Sequence, residues 1–229
     1  MAHDTTLPLE HPAAKAWRQL RATRVRSERI ELVRNRARST VYRLEGAGPA
    51  GAAVIAKRSR RAQALIERTL YEQVVPLLPM PSLAYYGFVD EAEGEFAWLF
   101  IGCAGDEPYM STSSEHTALA ARWLSLLHTV GGTVAAAALL PDRGPGYFHE
   151  HLASAQRNLV LHLDNPVFSA EDRAVLEAVI GQCEALACHW SEVEQQCKAL
   201  PTTLVHGDFA PKNMRVRNGQ AGLVLDLFD

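Results

Sequence analysis

At 229 residues, 48% hydrophobic and 21% charged, the chain has the composition of an ordinary soluble globular protein, with room for one large domain or two small lobes. Disorder and a collagen-like repeat are excluded, and no stretch nears the roughly 18 to 20 uninterrupted apolar residues of a membrane-spanning helix. Residues 1–10 lack a basic segment followed by an apolar core, so no secretory signal is read and a cytoplasmic location is expected.

The formal net charge of −3 hides an asymmetry: residues 1–68 hold 15 Lys/Arg against 6 Asp/Glu, and the remainder 8 against 20. Residues 11–28 read as a basic, solvent-facing helix. Arg18, Arg21, Arg24, Arg26 and Arg29 could form a nucleic-acid-binding arm, but no aromatic interleaving or nucleic-acid motif accompanies them, so a solvated face without a nucleic-acid partner is expected.

The pattern then changes to period two, with strands expected at 29–34, 39–45, 51–57, 83–89 and 96–101. Between the third and fourth, residues 60–75 carry Leu65, Tyr71, Val74 and Val75 at helical spacing until Pro76 and Pro79 stop the pattern. Turns are expected at Gly46, Gly48, Pro49 and Gly51, and again over 91–94.

From residue 113 the reading is helical. Ser113 or Ser114 caps a segment whose apolar stripe is Leu119, Ala120, Trp123, Leu124, Leu127 and His128, and Gly131 and Gly132 end it. A Gly/Pro/Ala-rich connection over 131–146 leads to a helix near 148–163. Ser169, with Asp172 three residues on, opens a long helix reaching Leu200 before Pro201. The four cysteines, Cys103, Cys183, Cys188 and Cys197, form no CxxC pair and read as reduced, mostly buried thiols.

The most informative stretch is the last 27 residues. Strands are expected over 203–206, 213–217 and 222–226, with Asn218-Gly219 as a two-residue hairpin turn. That turn sets Asn213 opposite Val224, with Asp226 a diagonal neighbour of Asn213. A carboxylate and an amide oxygen then converge at the open end of a hairpin, with Asp208 on the loop leading into it. Such donors suit a hard cation such as Mg²⁺, which takes few protein ligands and leaves other positions to phosphates and water. The alternative reading of Asp208 and Asn213 is a turn whose side chains bond their own backbone. Asp229 reads as a solvated end, and Lys212 as an exposed side chain.

His206-Gly207-Asp208-Phe209-Ala210-Pro211-Lys212-Asn213, followed by Leu223-Val224-Leu225-Asp226, resembles the HGDxxxxN and downstream Asp motifs of the aminoglycoside phosphotransferase and choline kinase family. Val54-Ile55-Ala56-Lys57 resembles the strand ending in the kinase Lys, Glu67 falls on the next helix where the family places that Lys residue's partner, and Leu124-Ser125-Leu126-Leu127-His128 is similar to the family's LxxLH helix ending. Glu72 is a rival for the role of Glu67.

The resemblance implies an α+β, two-lobed protein-kinase-like fold. It has a five-stranded antiparallel sheet with one helix over 1–101, a connector over 102–112, and a mainly helical lobe over 113–229. It implies an ATP-dependent phosphotransferase moving the γ-phosphoryl group to a hydroxyl of a small molecule, with Mg²⁺. Lys57, held by Glu67, would take the α and β phosphates. Ser39 and Thr40 would cradle phosphate oxygens, although the loop before them lacks the glycines of protein kinases. The backbone of Gly102, Cys103 and Ala104 would grip the nucleobase, Asn213 and Asp226 would hold the metal, and Asp208 would orient the acceptor hydroxyl. His206 would hold the loop by hydrogen bonds.

Family members normally continue beyond Asp226 with helices that close the C-terminal lobe, so the chain reads as truncated. An uncovered face there would invite a homodimer. The alternative function is a non-catalytic nucleotide-binding or interaction module with the same fold.

Overall fold

The computed structural model describes residues 6–21, 27–92, 94–219 and 222–228. It packs as two compact units, Met1–Leu140 with Thr203–Asp229, and Pro141–Thr202.

The first unit is built on an antiparallel sheet that, among the described residues, has six strands in the order β1-β2-β3-β4-β6-β5. These are β1 (Thr6–Leu7), β2 (Arg29–Arg36), β3 (Ser39–Glu45), β4 (Val54–Arg60), β5 (Tyr85–Asp90) and β6 (Phe96–Gly102). All five expected strands are present, with the two-residue β1 added at one edge. The turn between β3 and β4 is a short 3₁₀ segment, Pro49–Gly51, in which Ala50 and Gly51 take positive φ, as does Gly46 just before it.

Strand pleating divides the sheet into two faces with different tasks. Leu44, Val54, Ala56, Trp98 and Phe100 point to one face and join Ala13, Ala14, Ala16 and Trp17 of helix α1 (Pro12–Arg21) in a single core. This corrects the expectation of a solvent-facing helix over 11–28. Trp17 is 3% exposed and its indole N–H donates to the Ala47 carbonyl at 3.1 Å. Small alanines let the helix approach the sheet closely while contributing little to a hydrophobic pattern, so the arginines dominate the sequence signal. Arg18 pairs with Glu10 at 3.0 Å and Arg29 with Glu31 at 2.5 Å. Arg24 and Arg26 lie outside the described residues, as does the side chain of Arg21.

The other face carries Ile55, Lys57 and Leu99, and over it runs α2 (Arg61–Thr69). That helix continues through a wider π-wound turn, Leu70–Val74, and a 3₁₀ turn, Val75–Leu77, before the chain leaves it. Gly102 ends β6 with its N–H on the Ala84 carbonyl at 2.7 Å.

A short strand β7 (Glu107–Pro108) then joins a second sheet, in the order β7-β8-β9, with β8 (Met214–Gly219) and β9 (Gly222–Leu227). Helix α3 (Ser114–Gly131) packs on it through Ala120, Leu119 and Trp123. Ser113 caps α3 by accepting the His116 N–H. His128, expected on the apolar stripe, has an exposed side chain, and its carbonyl accepts the Thr203 hydroxyl at 2.5 Å. Residues 203–206 form no strand. They are held sideways by that bond and by Leu204, which lies so close to Gly131 that a Cβ there would sit 2.9 Å from it.

The second unit consists of helices α4 (Pro145–His162), α5 (Ala170–Cys188) and α6 (Trp190–Lys198). The expected capping box opens α5: Ser169 Oγ accepts the Asp172 N–H, and Asp172 accepts the Ser169 N–H at 2.9 Å. The Ser169 hydrogen bonds hold the Asp172 carboxyl below the usual range. The single helix expected to Leu200 is instead broken at His189. The His189 ring Nδ1 bonds the Ala185 carbonyl at 2.9 Å, where an unbroken helix would place the His189 backbone N–H, and that N–H bonds Leu186 instead. The break seats Trp190 against His149, stacked at 4.9 Å. All four cysteines are free, but Cys188 is exposed and the others are half-buried, so the expected burial of the thiols does not hold.

Trp17 bridges α1 to the sheet, and removing its ring leaves a cavity among Tyr86, Phe100 and Ala47. Trp17→Ala is expected to destabilise the first unit by about 3–5 kcal/mol, measured by urea unfolding.

Candidate functional site

Register places the charged side chains of the sheet. Lys57 lies opposite Val41, and Ser39 opposite Ser59, so Ser39 shares the face of Lys57, whereas Thr40 pairs with Arg58 on the other face. The loop tip between β2 and β3 is Ala37-Arg38. The Thr40 hydroxyl donates to Asn35 Oδ1 at 3.2 Å.

Lys57 is 8% exposed, and its ammonium donates to Glu67 Oε1 of α2 at 3.0 Å. A long side chain in so closed a place keeps one orientation only if a carboxylate holds it. Glu67 also accepts Gln63 Nε2 at 3.3 Å, one helical turn earlier. Glu72, the rival, faces elsewhere: it accepts the Tyr85 hydroxyl at 2.8 Å and Arg68 Nε at 3.0 Å. Burial, and then the Glu72 carboxylate, push the Tyr85 hydroxyl far above its ordinary range.

The second half of the site is the loop over 206–213 and the β8–β9 hairpin. Gly207 takes a φ of 83°, which is why a residue without a Cβ stands between His206 and Asp208. His206 accepts the Asp208 N–H through Nδ1 at 3.3 Å, a bond that holds the loop, and meets Trp123 edge-on at 6.2 Å. Asn213, 2% exposed, donates through Nδ2 to both the carbonyl and Oδ2 of Asp208, each at 3.0 Å. Its Oδ1 is therefore the atom left to ligate. The Asp208 carboxylate is half-exposed and meets the Lys212 ammonium at 2.8 Å.

The hairpin register differs from the expected one. Met214 pairs with Leu227 and Gly219 with Gly222, so Asn218-Gly219 belong to β8 rather than to the turn. Gly219 serves a different purpose there, since a Cβ would sit 2.6 Å from Val224. The partner of Asn213 moves from Val224 to Phe228, whose N–H donates to the Asn213 carbonyl at 3.0 Å. A shift of four residues is two full pleats, so Asn213 and Asp226 still share a face.

Asp226 is fully buried. Its Oδ2 accepts the Gly105 N–H at 3.1 Å, which ties the connector after β6 to the hairpin. Both oxygens also accept Arg217 Nε, at 2.8 and 3.1 Å. Two residues on, Phe228 packs with Leu99, Ile101, Ile55 and Tyr71, beside the strand and helix that carry Lys57 and Glu67. Asp229 lies outside the described residues.

In the connector, Cys103 is half-buried, and Arg43 Nη1 approaches its sulfur at 3.4 Å. Burial pushes the Cys103 thiol up, against the pull of the Arg43 guanidinium.

The expected residues fall into a buried Lys57–Glu67 pair, a bonded Asp208–Asn213 pair, and Asp226, which shares a face of the hairpin with Asn213 and is bonded to the connector. Sequence reasoning singles out neither Gly105 nor Arg217. The correct register is the signal that finds Arg217, because it places that residue opposite Val224 and diagonal to Asp226. With the turn at Asn218-Gly219 it stands far from Asp226. Nothing local marks Gly105.

A model of the phosphotransferase enzyme family matches residues 29–229. No curated protein sequence matches the chain. Among solved structures, the chain is similar to the GDP and kanamycin complex of APH(2")-IIia, with a TM-score of 0.58 and 12% identity over 94% of this chain and 70% of that one. It is similar also to the GDP complex of wild-type aminoglycoside 2'-phosphotransferase-IIIa, with a TM-score of 0.56 and 14% identity over 94% and 70%. A third likeness is to aminoglycoside-3'-phosphotransferase of type VIII, with a TM-score of 0.50 and 19% identity over 96% and 77%. These likenesses show the fold, which is α+β and protein-kinase-like as expected. No helix among the described residues is long and apolar enough to cross a membrane.

A Cβ on Gly105 would sit 2.7 Å from the Val216 carbonyl oxygen and 2.8 Å from Arg217 Cβ, both on β8. Gly105→Ala is expected to push the connector off the hairpin and to cost about 1–3 kcal/mol in urea unfolding.

Proposed function

The chain belongs to the phosphotransferase enzyme family, and from that premise we propose that it transfers the γ-phosphoryl group of ATP to a hydroxyl of a small-molecule acceptor, an aminoglycoside-like compound or another small alcohol. The observation that carries this reading is the fully buried Asp226, on the hairpin that follows the bonded Asp208–Asn213 pair, in one compact unit with the closed Lys57–Glu67 pair.

A phosphoryl group in transfer spreads negative charge over its oxygens, so the protein's task is mainly to align donor with acceptor and to neutralise charge. Lys57, fixed by Glu67, would meet the α and β phosphates. Ser39, on the same face of the sheet, would face the phosphates with the loop before it. Thr40, on the other face, would contribute through its backbone rather than its hydroxyl. Gly102, Cys103 and Ala104 would meet the nucleobase through backbone groups. Purine nucleotide complexes of two of the similar structures are in keeping with this.

The residues at the hairpin fit Mg²⁺: a buried carboxylate and an amide whose oxygen is turned away from its own donor bonds are hard oxygen ligands of the kind this ion takes. Asn213 and Asp226 would hold it, and when bound it would neutralise charge on the phosphate oxygens. Asp208, open to solvent, would accept the hydrogen bond of the acceptor hydroxyl and orient it for in-line attack. Lys212, which contacts Asp208, would release it as the acceptor enters. In this reading residues 1–101 form the nucleotide-binding lobe, 102–112 the connector and 113–229 the catalytic lobe, and the protein works in the cytoplasm, where ATP is supplied.

Calorimetry is expected to show ATP binding that depends on Mg²⁺ and is lost in Asp226→Ala. Across a panel of aminoglycosides and small alcohols, Asp208→Ala is expected to lower phosphoryl transfer about 10²–10⁴-fold; full transfer by that variant would overturn the assignment. Because burial raises the Cys103 thiol, its alkylation by iodoacetamide is expected to rise only in alkaline buffer and to lag that of exposed Cys188. ATP is expected to slow labelling of Cys103 and to leave Cys188 unaffected. Equal labelling of Cys103 with and without ATP would remove the connector from the nucleotide site.

A further inference from the structure

Resting on the assignment of Asn213 and Asp226 as the cation ligands, we propose that Arg217 is a resident counter-ion of Asp226, which holds the buried carboxylate while the cation site is empty and competes with an entering divalent cation for it.

A fully buried carboxylate cannot stay ionised without compensation. Among the described residues two groups supply it: the Gly105 N–H on Oδ2, and Arg217 Nε, shared between Oδ1 at 3.1 Å and Oδ2 at 2.8 Å. The hairpin register brings the second contact within reach. Arg217 is paired with Val224, and Asp226 follows two residues later on the same face.

Both oxygens of Asp226 are engaged by the one guanidinium nitrogen, so Nε and an entering cation place positive charge against the same carboxylate and compete for it. The pair is built to let Nε give way. The Arg217 side chain is 43% exposed while Asp226 is 0% exposed, so one partner is anchored and the other can swing into solvent. The contact is made through Nε alone rather than through two parallel N–H bonds, and so lacks the bidentate fork that makes arginine–carboxylate pairs strong. Asn213 differs: its Nδ2 is committed to Asp208, which leaves Oδ1 as the ligating atom.

This role predicts opposite signs for two measurements. Removing Arg217 takes away the counter-ion of a buried charge and lowers stability in the absence of metal. It also removes the competitor, and so tightens cation binding. An ion pair that merely stiffened the hairpin would lower both.

The test uses the full chain with Mn²⁺ as the probe, an oxygen-seeking divalent ion followed by electron paramagnetic resonance without nucleotide. Melting temperatures are recorded in EDTA and in Mn²⁺. Arg217→Ala is expected to melt below wild type in EDTA, to recover in Mn²⁺, and to bind Mn²⁺ about five- to tenfold more tightly, the range given by the loss of about 1 kcal/mol of competition from a partly exposed pair. Arg217→Lys, which keeps the charge, is expected to fall between them. Arg217→Gln carries the same expectation as Arg217→Ala and replaces it if that variant does not fold.

Unchanged or weaker Mn²⁺ binding in Arg217→Ala and Arg217→Gln, with binding abolished in Asp226→Asn, would overturn the counter-ion role and leave the phosphotransferase site standing. Wild-type Mn²⁺ binding by Asp226→Asn would instead remove the cation site, and with it the premise.

Discussion

The arrangement depends on one buried carboxylate. Asp226 is held out of water with a backbone N–H and a guanidinium to balance it, and this requirement dictates its neighbourhood. The Gly105 N–H reaches Oδ2 only because the connector lies against β8, closer than any side chain at 105 would allow. That approach is stitched by β7, whose Glu107 and Pro108 pair with Val216 and Arg215. The same segment that presents Asp226 carries Phe228 into the cluster beneath Lys57 and Glu67. A polar group and an apolar one, two residues apart, therefore couple the hairpin to the large sheet by different forces. The hydrogen bond fixes direction, and the apolar contact supplies most of the favourable free energy.

The large sheet solves a second problem with the pleat. One face is mainly apolar and closed by α1, with Trp17, Leu44, Trp98 and Phe100 at its centre and Arg58 paired to Glu91 at its end. The opposite face must carry charge, and it does so with Lys57 paired to α2. Closing one face frees the other for polar work, because burial of the first is enough to stabilise the strands that carry both. The basic leading helix is thus a piece of the core, with Ala13, Ala14, Ala16 and Trp17 buried against the sheet.

Charge neutralisation recurs throughout the site. Lys57 meets Glu67, Asp208 meets Lys212, and Asp226 meets Arg217. The three pairs differ in exposure. The first is closed, the second open on both partners, and the third open on one side only. Exposed pairs are weak and exchange readily, whereas closed pairs hold geometry. The gradient suits a site with one permanent pair and two carboxylates that accept other partners.

Features encoded within a few residues of chain are legible in the amino-acid sequence by itself. Alternation locates the five strands, and Ser169 with Asp172 announces the start of α5. The run from His206 to Asn213, and Lys57 with Glu67 in an earlier strand and helix, contain two pairs that the fold joins by hydrogen bonds, Asp208 with Asn213 and Lys57 with Glu67. Even a hairpin turn placed on Asn218-Gly219 keeps Asn213 and Asp226 on one face, because the displacement is a whole number of pleats. What tertiary structure alone decided were contacts between distant segments: the buried face of α1, the choice of Glu67 over Glu72, the break at His189, and the placing of Gly105 and Arg217 on Asp226. Propensities and caps are local energies, whereas register and close approach are settled by which side chains fill the space between elements, and that space exists only once the chain has folded.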